Sequence, residues 1–218
     1  YLRAKGANVR AYDTDPVNAT LHGYKEFRPN VTLINIMRGK AVDAGRFDNL
    51  MNDIVELPPD MQVVIDNGAS SFLPLCSYIH DNNCMDILRE ENHKIYLHTI
   101  ITGGQALTDT LSGFETLVAN FKNVPIIVWL NTYYGEIAVD GMQFEEFGLF
   151  KKHNQLIDAI IQIPEYSCDI FEKDMVHLYT IRKSFESYIN GSVPFMQRQR
   201  VTQYWRGLIK AIDAAGLI

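Results

Sequence analysis

Four hydrophobic runs in this chain end in residues that could do chemistry. Asn8-Val9-Arg10-Ala11-Tyr12 leads into Asp13-Thr14-Asp15-Pro16-Val17-Asn18-Ala19-Thr20, and Gln62-Val63-Val64-Ile65 leads into Asp66-Asn67-Gly68-Ala69. Ile126-Ile127-Val128-Trp129-Leu130 leads into Asn131-Thr132, and Ala159 to Ile163 leads into Pro164-Glu165. A carboxylate at a strand tip can orient the water shell of a Mg²⁺ ion, and a following Gly lets a loop move close to a phosphate. Asp13 and Asp15, two apart on an extended end, are expected to point the same way. Pro16 would fix the exit and remove a donor. A carboxamide such as Asn131 offers both a donor and an acceptor to one edge of a purine, and Pro164 offers a rigid, donor-free surface for the base. Each segment also has a purely structural reading. Asp13 to Thr20 suits an Asx turn followed by a helix cap, Asp-Asn-Gly suits a plain turn, and Asn131 and Pro164 suit ordinary loops.

The elements that must position these residues are legible from periodicity. Strands are expected at Asn8–Asp13, Val31–Met37, Gln62–Asp66, Ile95–Thr102, Val124–Leu130 and Ala159–Ile163. Val63-Val64-Ile65 and Ile126 to Leu130 lack polar alternation, as strands buried on both faces do. Helical spacing marks Asp43–Val55, Ala106–Phe121, Phe144–Asp158 and Asp174–Tyr188, and a C-terminal helix from Gln197 to Ala215. Strands alternating with helices imply right-handed βαβ units and a three-layer α/β fold, a mainly parallel sheet with helices on both faces. In such sheets ligands sit beyond the carboxyl ends of the strands, where the four segments lie.

Composition narrows the function classes. The 218 residues are 47% hydrophobic and 21% charged, ordinary globular values that suit a single domain. A net charge of −6 disfavours wholesale nucleic-acid binding, which needs clustered cations. The densest basic cluster, Arg198, Arg200, Arg206 and Lys210, reads as one solvated helix face packed on the domain rather than a membrane anchor. Cys76, Cys84 and Cys168 form no CxxC pair, and the six histidines show no HxxxH spacing, so neither a disulfide framework nor a zinc site is expected. No apolar run approaches the ~20 residues of a bilayer span, and no signal peptide opens the chain, so a cytoplasmic location is expected. Tyr1 to Gly6 reads as the last turns of a helix closed by glycine, which suggests that something precedes it.

In combination these segments resemble the ParA/MinD family of deviant Walker-A ATPases, relatives of the nitrogenase iron protein. KGANVRAYDTDPVNATL is similar to that family's G-x-x-V-x-x-x-D-x-D-P stretch, VVIDNGAS to its Walker B and switch segment, IIVWLN to its adenine-side strand, and IIQIPE to its closing I-P-E element. More narrowly, the chain is similar to the TraL/StbC-like members encoded by conjugative plasmids. The resemblance implies a P-loop NTPase fold, ATP and Mg²⁺ as ligands, and a nucleotide-dependent homodimer with an unidentified protein partner. It implies that Asp15 orients the attacking water, that Asp66 holds Mg²⁺ through water, and that Asn131 and Pro164 face adenine. Asp13 matches the family's first Asp, in the nucleotide and Mg²⁺ region, and residues 105–117 would lie near a dimer face. The departure is the phosphate loop. Nothing like K-G-G-x-G-K-[ST] occurs, and Gly103-Gly104 is not followed by Lys. The family's first strand and P-loop are therefore expected upstream of Tyr1, and without that loop tight ATP binding is not expected.

Three functions compete on this sequence. The first is an ATP-hydrolysing dimeric switch in plasmid transfer or maintenance. The second is a non-hydrolysing scaffold that recruits partners through Tyr133, Tyr134, Phe147 and Phe150. The third is an ATP-dependent synthetase of the dethiobiotin-synthetase kind, which would need a carboxylate-substrate pocket. Fold alone does not separate them.

Overall fold

The computed structural model describes residues 1–15, 17–39, 41–165 and 169–217, so Pro16 and Cys168 lie outside the described residues. The elements run, in chain order, β1 (Val9–Asp13), β2 (Val31–Leu33), β3 (Met37–Arg38), β4 (Ala41–Val42), α1 (Phe47–Val55), β5 (Gln62–Asp66), α2 (Ala69–Asp81) and α3 (Cys84–Glu90). They continue as β6 (Leu97–Thr102), α4 (Leu107–Asn120), β7 (Ile126–Asn131), β8 (Ala138–Val139), β9 (Met142–Gln143), α5 (Gly148–His153), β10 (Ile157–Gln162), α6 (Asp169–Thr180), α7 (Phe185–Ile189) and α8 (Phe195–Ala214). The chain divides into two compact units: Tyr1–Lys94 with Val176–Asn190, and Ile95–Met175 with Gly191–Ile218. Each carries a three-stranded parallel sheet, a mixed α/β arrangement of parallel strands flanked by helices, as a three-layer α/β fold requires.

In the first unit the strand order is β2-β1-β5. Central β1 buries Ala11, Tyr12 and Asp13. α1 places Phe47, Leu50 and Ile54 on its buried stripe, and Asp43 caps the 3₁₀ turn before it by accepting from the Gly45 amide at 3.2 Å. The expected strand Val31–Met37 stops at Leu33. Asn35 accepts from the Met37 amide at 3.0 Å, and this Asx turn diverts the chain into the β3–β4 hairpin. β5 lies at the end of its sheet, pairs with β1 alone among the described residues, and leaves Val64 38% exposed. The expectation that Val63 to Ile65 is buried on both faces is corrected accordingly. α2 and α3 lie outside the expected helices, and Pro74 sits inside α2. α7 is capped by Ser184, whose hydroxyl accepts from the Ser187 amide at 3.1 Å. Glu26 accepts from the Ser184 amide and from the hydroxyls of Ser184 and Ser187. Burial opposes its charge, but these donors outweigh burial and hold the Glu26 pKa below its usual value.

In the second unit the order is β10-β7-β6, and β7 occupies the centre with Ile126, Ile127, Val128 and Leu130 buried. α4 buries Leu107, Phe114, Leu117 and Val118, the stripe its spacing predicts. The stretch Phe144–Asp158 is interrupted: a 3₁₀ turn (Phe144–Glu146), α5, another 3₁₀ turn, and then β10 from Ile157. Phe147 is buried and packs with Phe150 around Phe144, at centroid distances of 5.9 and 5.4 Å. Phe147 is not the exposed ring the scaffold reading expected and Phe150 is half-buried, whereas Tyr133 and Tyr134 are 57% and 68% exposed. The C-terminal helix forms as α8 with Val201 and Ile212 buried. Arg200 leaves the expected solvated basic face to pair with buried Asp174 at 2.6 Å. No helix among the described residues is long and apolar enough to cross a membrane.

The Asp174–Arg200 pair yields a stability prediction. Asp174 is 3% exposed, so Arg200→Ala strands a buried charge and should destabilise the fold by about 3–5 kcal/mol in denaturant unfolding. Replacing both partners with apolar residues (Asp174→Leu with Arg200→Met) should recover most of that loss. Equal losses in the single and double variants would show that the pair does not carry the contact.

Candidate functional site

The first unit brings three of the carboxylates singled out in the sequence to one region. β1 and β5 are parallel neighbours, and their register sets Asp13 opposite Asp66, each the last residue of its strand. The ends are locked beyond the ladder. The Thr14 amide donates to the Asp66 carbonyl at 2.8 Å and the Thr14 hydroxyl to the same oxygen at 3.2 Å, with Thr14 fully buried.

The two aspartates of the first segment are not equivalent. Asp13 is fully buried. Its Oδ1 accepts from the Asp15 amide at 3.1 Å and its Oδ2 from the His22 amide at 2.8 Å. Asp15 lies past the strand end and is half-buried. Its Oδ1 accepts from the amides of Val17 (2.8 Å) and Asn18 (3.2 Å), and its Oδ2 from the Asn18 carboxamide (3.3 Å). The Val17 amide leads the causes that hold its pKa below the usual carboxylate range, against the opposing effect of burial. This is the Asx turn of the structural reading; the helix it was expected to cap does not form, since residues 17–23 make turns.

Asp66 differs from both. No donor reaches its carboxylate among the described residues, and burial, then the Asp13 and Asp15 charges, push its pKa up. Asp66 is exposed at the strand tip, and a solvent-accessible carboxylate beside like charges is stabilised by an approaching cation. A single such group suits a cation held through its water shell, and Asp66 fits that role for Mg²⁺. Among the described residues no group of three or more His, Cys, Asp and Glu side chains could cage a metal ion directly.

Gly68, two residues on, has a contact that sequence reasoning missed. A Cβ there would lie 2.5 Å from Asp15 Cγ, so Gly68 lets the start of α2 lie directly against the Asp15 carboxylate. The sequence suggests loop freedom as the use of the Gly in Asp-Asn-Gly; its use here is close approach.

In the second unit, Asn131 ends β7 opposite Thr102 of β6. Its Oδ1 accepts from the Tyr133 amide at 3.1 Å, which orients the carboxamide and assigns its NH₂ outward from that bond. Pro164 follows β10 and lies against α8, where a Cβ on Gly207 would be 3.3 Å from Pro164 Cγ. A glycine in mid-helix was the available signal for that contact. Gly103 and Gly104 pack against the loop after Asn131: a Cβ on Gly103 would come 1.9 Å from the Gly135 carbonyl oxygen, and one on Gly104 2.2 Å from that of Tyr134.

Two Escherichia coli proteins, each called protein TraL, are 39% identical to the chain over 220 residues. Each alignment spans all of this chain and 90% of the relative. No protein-family model matches the sequence, and no solved structure matches it.

The Asp66 environment yields a pH prediction. A carboxyl whose pKa is higher folded than unfolded favours folding while protonated and opposes it once ionised. Removing the charge in Asp66→Asn should therefore raise Tm at pH 7, by a small amount because solvent screens a group at the surface. The gain should shrink as pH falls toward the ordinary carboxyl range, where the wild-type group is protonated in both states. Melts from pH 3 to 8 check this; a gain that persists unchanged at pH 3 would refute the electrostatic cause.

Proposed function

The chain belongs to the TraL family, and on that premise we propose that it is an ATP-binding and hydrolysing switch of the ParA/MinD type, acting as a nucleotide-dependent homodimer in plasmid transfer or maintenance. The observation that carries this reading is the strand-end arrangement of the first unit. Donor-poor Asp66 lies in register with Asp13, and Asp15 lies against Gly68 one loop away. In the first unit, Asp66 holds Mg²⁺ through water and Asp15 orients the water that attacks the γ-phosphate. In the second, Asn131 and Pro164 face adenine.

Hydrolysis in this scheme needs no covalent intermediate. A positioned carboxylate aligns water with the phosphorus, and the cation offsets charge on the phosphate oxygens. Asp15 must then exchange part of its bonding to Val17 and Asn18 for a water molecule. Its remaining lone pairs allow that without dismantling the turn. The glycine-rich loop that would cradle the phosphates is not among these 218 residues, and the reading requires the full-length protein to supply it.

A non-hydrolysing scaffold is the second reading, favoured by the exposed edge-to-face pair Tyr133–Tyr134, whose centroids lie 4.7 Å apart.

In the full-length protein, Asp15→Ala should keep the nucleotide Kd within about threefold while single-turnover hydrolysis falls about 100-fold and dimer accumulates. Asp66→Ala should weaken Mg-nucleotide binding and hydrolysis together. If Asp15 served only its turn, the variant would lose about 1 kcal/mol of stability and hydrolyse normally per folded molecule. Hydrolysis unaffected by Asp15→Ala rejects the proposed role, and wild-type protein that recruits partners without hydrolysing ATP favours the scaffold.

A further inference from the structure

Asp13 carries its carboxylate where water does not reach. It is fully buried, directly across the ladder from Asp66, and two backbone amides donate to its oxygens. A buried carboxylate is tolerated where donors replace its lost water, and amide donors to an ionised oxygen are among the stronger hydrogen bonds. The donors here are informative because they are far apart in the chain. One is the amide of Asp15, two residues on, and the other is the amide of His22, nine residues on. One carboxylate therefore spans the loop from its first residue to its last.

That loop contains Asp15. Within it, Asp15 accepts from Val17 and Asn18 and presses against Gly68. The backbone of Asp15 is fixed by Asp13 through its own amide, so the direction in which the Asp15 side chain leaves the chain depends on that bond.

We propose that Asp13 is a positioning residue: by clamping the Asp15 and His22 amides it holds the 13–22 loop closed and aims the Asp15 carboxylate, without itself touching nucleotide or cation. The clamp needs both oxygens as acceptors. The substitution Asp13→Asn keeps the volume but turns an NH₂ toward one of two N–H donors, so one arm must open. Releasing the loop displaces Asp15 and leaves the groups that bind nucleotide where they were. The consequence for hydrolysis rests on the ATPase reading above; the clamp itself does not.

The test uses full-length wild-type protein, Asp13→Asn and Asp15→Ala, with two readouts. Amide hydrogen exchange across residues 13–23 reports the clamp. In Asp13→Asn, exchange at Asp15 and His22 should speed up about tenfold or more while strand amides of the first unit keep their protection. In Asp15→Ala, which removes the acceptor, only Val17 and Asn18 should speed up. Hydrolysis and nucleotide affinity report the consequence: Asp13→Asn should lower kcat about tenfold or more and leave Kd within about threefold. Unchanged exchange at Asp15 and His22 overturns the clamp, and a Kd loss matching the kcat loss overturns the claim that Asp13 acts through Asp15. If wild type does not hydrolyse ATP, the ATPase reading falls and the exchange arm alone decides the clamp. Should Asp13→Asn fail to fold, exchange in wild type still decides it. The loop amides of Asp15 and His22 must then be protected to the same order as the Thr14 amide, and fast exchange at either overturns the proposal.

Discussion

The pairing of β1 with β5 is the constraint on which the first unit's chemistry depends. Side chains alternate sides along a strand, so a slip of one residue would send Asp13 and Asp66 to opposite faces. The register Asp13↔Asp66 is pinned at the end where slippage matters most, by the two Thr14 donors that converge on the Asp66 carbonyl. Thr14 is a fully buried β-branched residue with a hydroxyl, set between two aspartates in the chain. Valine would fill the same volume and lose the second bond.

Holding carboxylates this close is costly, and the chain divides the burden unevenly. Asp13 takes two amides, and Asp15 takes two amides and a carboxamide. Asp66 takes no donor among the described residues, and its pKa rises. Backbone donors suit this place because they satisfy a carboxylate without neutralising the region. A Lys or Arg would pair with the aspartates and quench their effect on an incoming cation. The loop from Asp13 to His22 directs amides onto its own aspartates, and the carboxylate left without a protein donor among the described residues is the exposed one at a strand tip. An exposed carboxylate beside like charges is where a cation from solvent gains most.

Much of this could be read before any coordinates. β5 and β7 follow from apolar runs ending in Asp66 and Asn131, and α4 from the spacing of Leu107, Phe114, Leu117 and Val118. Side-chain type also singles out the strand-end residues. It does not rank Asp13 against Asp15, because two identical side chains two positions apart differ only in which amides reach them, and the His22 amide arrives from nine residues away. It misjudges Val64, because an apolar run reports what a residue would prefer rather than whether its strand is central or at an edge. It misses α2 because Pro74 and Ser70-Ser71 outweigh Leu73, Leu75 and Cys76 in local propensity, while burial of Ser71, Leu75 and Cys76 decides the outcome. It takes Phe147 for a surface ring because the cluster around Phe144 is assembled from short elements with no single period.

The glycine pair of the second unit shows how the same residue type can serve opposite electrostatics. A phosphate loop uses glycine so that backbone N–H groups can converge on an anion. Gly103 and Gly104 also serve close approach, but what they approach is the Gly135 and Tyr134 carbonyl oxygens, at distances no Cβ could occupy. Convergent carbonyls repel phosphate. Their effect instead is to let the loop leaving Asn131 cross the end of β6, where the Asn131 oxygen engages the Tyr133 amide and Tyr133 in turn donates to Glu172 at 2.7 Å. Glycine at these two positions therefore belongs to the mounting of the Asn131 carboxamide. The residue after the pair is Gln105 rather than lysine, and the oxygens facing the pair are carbonyls. Both point the same way: this segment is built to seat a neighbouring loop, and an anion placed there would meet acceptors.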